Sequence, residues 1–270
     1  MVSSDSPDRP ETPNRSEQPS PSGRTDSAGQ SWSGRELRPN PFSSDSGLAD
    51  AGFLDALGRV GREPLDPNAH RSVFSSLAGA RLYAPIVPMA VDQQVGDNGL
   101  MSDNSSEMAM VRLQAEDGRE CTPGFSSIPP LTEWHPDARP VPIESERLVL
   151  GAIEADSQLV VLDPGAASSF LLRRPAMFAF AQGLPWTPAW ADAEVGRALV
   201  AIAEGFPWLA QVSLSPGSAR VHVEGPEVGI RLGVRSQVPT EEMQRFQAAL
   251  ASDETIVEKV DSLAIQLADA

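Results

Sequence analysis

Val2 and Leu37 are the only branched aliphatic side chains between Met1 and Gly47, a stretch otherwise built mainly from Ser, Pro, Asp, Arg, Gln and Gly. Such a segment cannot bury enough apolar surface to offset the entropy of ordering its backbone, so residues 1–47 are expected to form a disordered leader. Core contacts must then come from the chain beyond it, with order beginning near Asp50. The leader also accounts for a hydrophobic content of 40%, slightly low for a folded chain of 270 residues. What remains is long enough for one large core or two small ones. The leader is expected to be dispensable for folding. Ser3, Ser4, Ser6, Ser43, Ser44 and Ser46 sit among Pro, Asp and Arg, where phosphorylation would add negative charge without disturbing a packed contact.

The charge balance narrows the partners. Lys and Arg number 21 against 37 Asp and Glu, a formal net charge of −16. Within the leader, Asp5, Asp8, Glu11, Glu17, Asp26, Glu36 and Asp45 face Arg9, Arg15, Arg24, Arg35 and Arg38, so it carries −2 and the rest of the chain −14. Affinity for phosphate backbones needs clustered cations, and Lys259 is the sole lysine, so nucleic acid is not an expected partner. One cysteine, Cys121, can form neither an internal disulfide nor a thiolate metal site by itself, which fits a reducing, cytoplasmic setting. No signal-peptide pattern opens the chain and no run approaches the roughly 20 apolar residues that span a bilayer, so no membrane is expected either.

Past the leader the pattern is mixed. Phe53, Leu54, Leu57 and Val60 recur at helical spacing; a second helix follows Asp66-Pro67 with Val73, Phe74 and Leu77 on one face, ended by Gly79. Arg81 to Met89 is β-rich, with Pro85 and Pro88 predicting an edge or bulged strand. After a polar insert at 92–106, Met108–Leu113 alternates and Asp117-Gly118 predicts a hairpin into a strand over Glu120–Phe125. Leu131 and Trp134 suit a short helical turn, Val141 a brief strand, and Leu148, Val149, Ala152 and Ile153 a helix. Leu159–Leu162 reads as a buried strand ended by Asp163-Pro164-Gly165, with Phe170–Leu172 returning antiparallel and a helix starting at Pro175. Leu184–Trp190, with two prolines, marks a boundary. Beyond it come a helix from Asp192, strands near 208–214, 219–224 and 228–234, a helix carrying Met243, Phe246 and Leu250, and a last segment in which Leu263, Ile265 and Leu267 alternate as in a strand, the favoured reading, while Val260, Ala264 and Leu267 also fit a helix.

Motifs for nucleophile elbows, phosphate loops, dinucleotide folds and zinc helices are missing from the sequence, and no cofactor is expected. His70, His135 and His222 fall in a helix start, a proline-rich loop and an alternating strand, without metal-ligand spacing. Cys121 would be a nucleophile only if His135 approached it; otherwise it is a small buried hydrophobe. Glu116 and Asp117 flank the hairpin turn, where solvent keeps paired carboxylates ordinary. Arg173 and Arg174, just before a helix, could hold an anion, with Asp163 in the nearby turn. Trp134, His135 and Arg139 concentrate an aromatic, an imidazole and a guanidinium in a proline-stiffened loop, a surface suited to a protein partner.

The run Leu82-Tyr-Ala-Pro-Ile-Val87, then Phe125-Ser-Ser127, then Trp134 with Ala138-Arg-Pro-Val-Pro142, and finally Leu159-Val-Val-Leu-Asp-Pro-Gly165 resembles, in that order, the N-terminal domain of the SseB family, named for an enhanced serine sensitivity phenotype. The resemblance covers about residues 50–185, in the arrangement of actinobacterial members with a Pro- and Ser-rich leader; the chain departs from it in Phe-Ser-Ser for Phe-Thr-Ser and Asp-Pro-Gly for Asn-Pro-Gly. It implies an α+β fold: a mixed sheet with helices over 48–185, then a small α/β domain over 192–270. It carries no catalytic residues across. The expected function is therefore a non-enzymatic, cytoplasmic protein-binding or regulatory role, with a sensor of a small anionic metabolite and a minor Cys/His enzyme as alternatives.

Overall fold

Aspartate side chains start four of the helices. Asp50 accepts from the Phe53 N–H at the head of α1 (Ala51–Arg62), and Asp66 from the Asn68 N–H at the head of α2 (Pro67–Leu77), where Pro67 needs no partner for its nitrogen. Asp192 does the same for α6 (Ala193–Glu204) and Asp253 for α8 (Glu254–Lys259). The computed structural model describes residues 42–88, 108–115 and 117–270. The leader up to residue 41, the polar insert and Glu116 lie outside the described residues.

The other elements are β1 (Arg81–Pro88), β2 (Met108–Met110), β3 (Leu113–Gln114), β4 (Glu120–Gly124), α3 (Ile128–Trp134), β5 (Arg139–Glu144), α4 (Ser145–Glu154), β6 (Leu159–Leu162), β7 (Phe170–Arg173) and α5 (Arg174–Ala181). After a 3-10 turn at Ala189–Ala191 and α6 come β8 (Leu209–Pro216), β9 (Val228–Val234), α7 (Thr240–Ser252), α8 and β10 (Leu263–Asp269). The strands form an antiparallel sheet β2-β1-β5, a mixed sheet β3-β4-β6-β7 and a mixed sheet β10-β9-β8, so the fold is α+β.

Two main cores result. In the first, α1, α2, α4 and α5 bury Phe53, Leu57, Val60, Leu77, Leu148 and Met177 against one face of the second sheet, through Val160, Leu162, Phe170 and Leu172. Each such side chain contributes roughly 1.5–3 kcal/mol. In the second, Val195, Leu199, Phe246, Leu250 and Ile256 pack on Val228, Ile230 and Leu232 of β9. A small third cluster gathers Tyr83, Phe125, Leu131 and Trp134.

Four expectations are corrected. Proline was to make Arg81–Met89 an edge or bulged strand, yet β1 is central and pairs with β2 and β5 without a register shift. Tyr83 exchanges both backbone bonds with Phe125, on the side away from β5, so with a period of two Pro85 also turns its nitrogen away from the β5 ladder, and the β2 pairing begins only at Ile86. Met108–Leu113 is not one strand: β2 pairs with β1 and β3 with β4. No strand covers 219–224; Val223 and Glu224 donate to the Arg220 carbonyl, and this turn buries the consecutive residues Val221 and His222. Order also starts before Asp50. Asp45 pairs with Arg81 at 3.0 Å and accepts from the Tyr83 hydroxyl, while the Gly47 carbonyl accepts from the Ile128 N–H. The described body accordingly runs from Asp45 to Ala270.

Candidate functional site

Alternation along the second sheet gives it two unlike faces. Val160, Leu162, Phe170 and Leu172 turn to the helices, so Cys121, Leu159, Val161, Leu171 and Arg173 turn the other way. That second face is the floor of a cleft of about 620 Å³, and the turn Val223–Pro226 together with Ser262 forms its far wall. The cleft is mostly apolar, with Asp117, Arg119, Arg173 and Glu224 as its charged members.

Those charges belong to a seam that joins the two main cores. Arg173, 4% exposed, donates through Nη2 to the carbonyls of Val221 (3.0 Å) and Gly225 (2.9 Å) and through Nη1 to Asp261 (3.2 Å). Arg119 Nη1 reaches the other oxygen of the same carboxylate at 2.8 Å. Burial would lower the Arg119 pKa, but its bonds to Asp261 and Asp117 outweigh burial and raise it. Glu227, 2% exposed, accepts from the N–H groups of Asp261 and Ala189; burial nevertheless raises its pKa. On the other side of the seam His70 packs edge-on against Phe170 and Trp190, donates from Nε2 to the Pro64 carbonyl, and has His222 nearby, whose buried Nδ1 has no partner among the described residues. Desolvation, opposed by the Pro64 contact, pushes the His70 pKa down to about 4, and desolvation lowers that of His222 too.

The six residues singled out in the sequence fall in four places. Trp134 is half-buried against Phe125, their centroids 5.3 Å apart, with His135 beside it and Arg139 exposed at the start of β5. Asp163 is wholly buried, held in a positive-φ conformation, and accepts from the Ser126 N–H (2.7 Å), the Ser126 hydroxyl (2.7 Å) and the Ser168 hydroxyl (2.8 Å). It thus closes a loop; it does not face a guanidinium. Arg173 is in the seam. Arg174 is exposed and lies over the Phe178 ring, so the two arginines do not form a joint clamp. Cys121 lines the cleft while His135 sits in the third cluster, and desolvation pushes the thiol up to about 12. The Cys/His pairing is therefore not assembled. Arg119, Asp261, Glu227 and Ser262 went unnoticed in the sequence; the only local signal is an acid just ahead of each of two apolar strands, Glu227-Val228 and Asp261-Ser-Leu263.

Fold and cleft together define an α+β protein of two adjoining cores with an apolar recess at their junction. Residues 55–179 match the SseB protein N-terminal domain, and this stretch of the chain is an SseB N-terminal domain. No curated protein and no solved structure matches the chain. No group of His, Cys, Asp or Glu among the described residues is placed to hold a metal ion, and no helix among them is long and apolar enough to cross a membrane.

Proposed function

We propose that this chain is a non-enzymatic regulatory protein of the cytoplasm that acts by binding, and that the cleft at the seam is where it takes a small ligand. The carrying observation is the cleft itself: a concave, largely apolar recess whose few polar groups converge from both cores, the usual form of a small-molecule site. A ligand there would touch the β3-β4-β6-β7 face and the Val223–Pro226 wall at once, so its presence would be felt by both cores. The sequence expectation of an anion held by Arg173 and Arg174 moves to different residues. The reading of a thiol nucleophile loses support from a Cys121 that stays protonated at neutral pH.

The test is a thermal-shift screen of the full chain against a small-molecule library, repeated on Val161→Trp, which fills the cleft floor. Hits that stabilise the natural chain and not the variant support the reading, because binding to the folded state alone raises stability by mass action. Hits indifferent to Val161→Trp would refute it.

A protein partner is the second reading, favoured by β10. It is the outer strand of its sheet, with Leu263 and Leu267 36% and 54% exposed beside a groove under α7 and α8. An extended apolar segment could add a strand there. A partner recovered with the full chain should be lost on Leu267→Asp and kept on Trp134→Ala; the reverse would return the partner to the Trp134 and Arg139 loop.

A further inference from the structure

We propose that the ligand of this cleft is a small monocarboxylate with an apolar body, its carboxylate seated on the Arg119 face that Asp117 now covers. This rests on the cleft being a ligand site and adds the chemical class.

Arg119 and Arg173 share a single buried carboxylate, Asp261, whose side chain is 1% exposed. Glu227 is engaged with two backbone N–H groups, and Glu224 pairs with Arg220 at the surface. Arg119 keeps its Nε and Nη2 side for a second acid, and Asp117 occupies it. Its Oδ2 accepts from Arg119 Nε at 2.9 Å and lies 2.8 Å from Nη2, side-on contacts that leave Nη1 to Asp261. The side chain of Asp117 is 52% exposed and stands on the β3–β4 turn. Its only other bond among those described is to the Arg119 N–H, 3.2 Å away within the same turn.

Asp117 thus behaves as an internal stand-in for a carboxylate: it meets Arg119 as a ligand acid would, it is exposed, and no core contact holds it. Leu113, Val161, Leu171 and Pro226 continue from this point as an apolar wall. A molecule with one carboxylate and a hydrocarbon chain would exchange its acid for that of Asp117 and lay its chain along the wall. A dianion would leave a second charge facing apolar surface, and a neutral analogue would leave Asp117 in place.

The test uses the full chain and two probes of equal length, octanoate and octanamide, titrated calorimetrically. Octanoate should bind about tenfold more tightly than octanamide, the difference expected of a charge-assisted bidentate contact. Asp117→Asn, which removes the internal competitor at an exposed position and leaves the fold intact, should tighten octanoate severalfold and leave octanamide unchanged. Arg119→Gln should bring octanoate down to the octanamide level. Equal binding of both probes, abolished by Val161→Trp, would overturn the carboxylate assignment while keeping the cleft as a ligand site. Failure of both probes to bind Asp117→Asn would overturn the assignment, and binding of either that ignores Val161→Trp would remove the cleft reading with it.

Discussion

Acid should loosen this protein well before its carboxylates are neutralised, and His70 is the reason. The ring is 4% exposed, edge-on to Phe170 and Trp190, and faces His222 and Arg173, with Asp66 the opposing charge. Desolvation holds its pKa at about 4, against 6.5 for an exposed histidine. The folded state therefore resists the proton that the unfolded chain accepts. The sign follows: this contribution is whole above pH 6.5, falls as pH drops through the interval from 6.5 to 4, and is level below. At 1.36 kcal/mol per pH unit the full loss is about 3 kcal/mol, with about 2 kcal/mol gone by pH 5. His222, also lowered, acts in the same direction. Urea denaturation followed by tryptophan fluorescence between pH 7.5 and 5 measures it, with His70→Phe as the comparison. That variant keeps the aromatic contacts but orphans the Pro64 carbonyl, so it should be less stable by about 1–2 kcal/mol at pH 7.5 and should lose much less on acidification. A natural chain whose stability is flat from pH 7.5 to 5, or a variant that declines in parallel with it, would refute the reasoning.

Asp261→Ala should cost about 3–5 kcal/mol in the same urea assay, because it strips the shared carboxylate from two guanidiniums, one of them buried; a loss below 1 kcal/mol would mean the seam is solvated. Gly217→Ala should cost about 1–3 kcal/mol, since the new Cβ would overlap the rigid Pro226 carbonyl at the base of the far wall. Cys121, its thiol pushed up to about 12 by burial, should react with iodoacetamide at pH 7.5 only after unfolding; rapid labelling of the folded chain would show an activated thiolate.

Where periodicity and a capping aspartate coincided, the sequence was legible. The helices opened by Asp50, Asp66 and Asp192 and the strands at Leu159 and Phe170 lie where the pattern places them, because both signals are local. Met108–Leu113 misled because alternation says which residues share a face and nothing about which neighbour a strand pairs with. The 219–224 segment misled for a related reason. Val221 and Val223 alternate as in a strand, but a turn anchored on the Arg220 carbonyl buries Val221 and His222 together. Arg173 was noticed for its charge and Cys121 for its thiol, yet the cleft was invisible. Its charged members are Asp117, Arg119, Arg173 and Glu224, and only tertiary structure assembles them.

The seam also explains why a recess exists at this place. A four-stranded sheet with helices on one face must still cover the other, and here Leu159, Val161 and Leu171 need that cover. The second core supplies it through backbone carbonyls and a carboxylate, not through an apolar helix: Val221 and Gly225 grip Arg173, and Asp261 joins Arg173 to Arg119. Ion pairs and guanidinium–carbonyl bonds fix a geometry without requiring contact over the whole area, whereas an apolar cover would have closed down on Val161 and Leu171. The matched domain ends at residue 179, so the floor of the cleft belongs to the SseB domain and the wall from Val223 to Pro226, with Ser262, comes from the chain beyond it. The cleft is consequently a property of the junction, because neither core contains both sides of it.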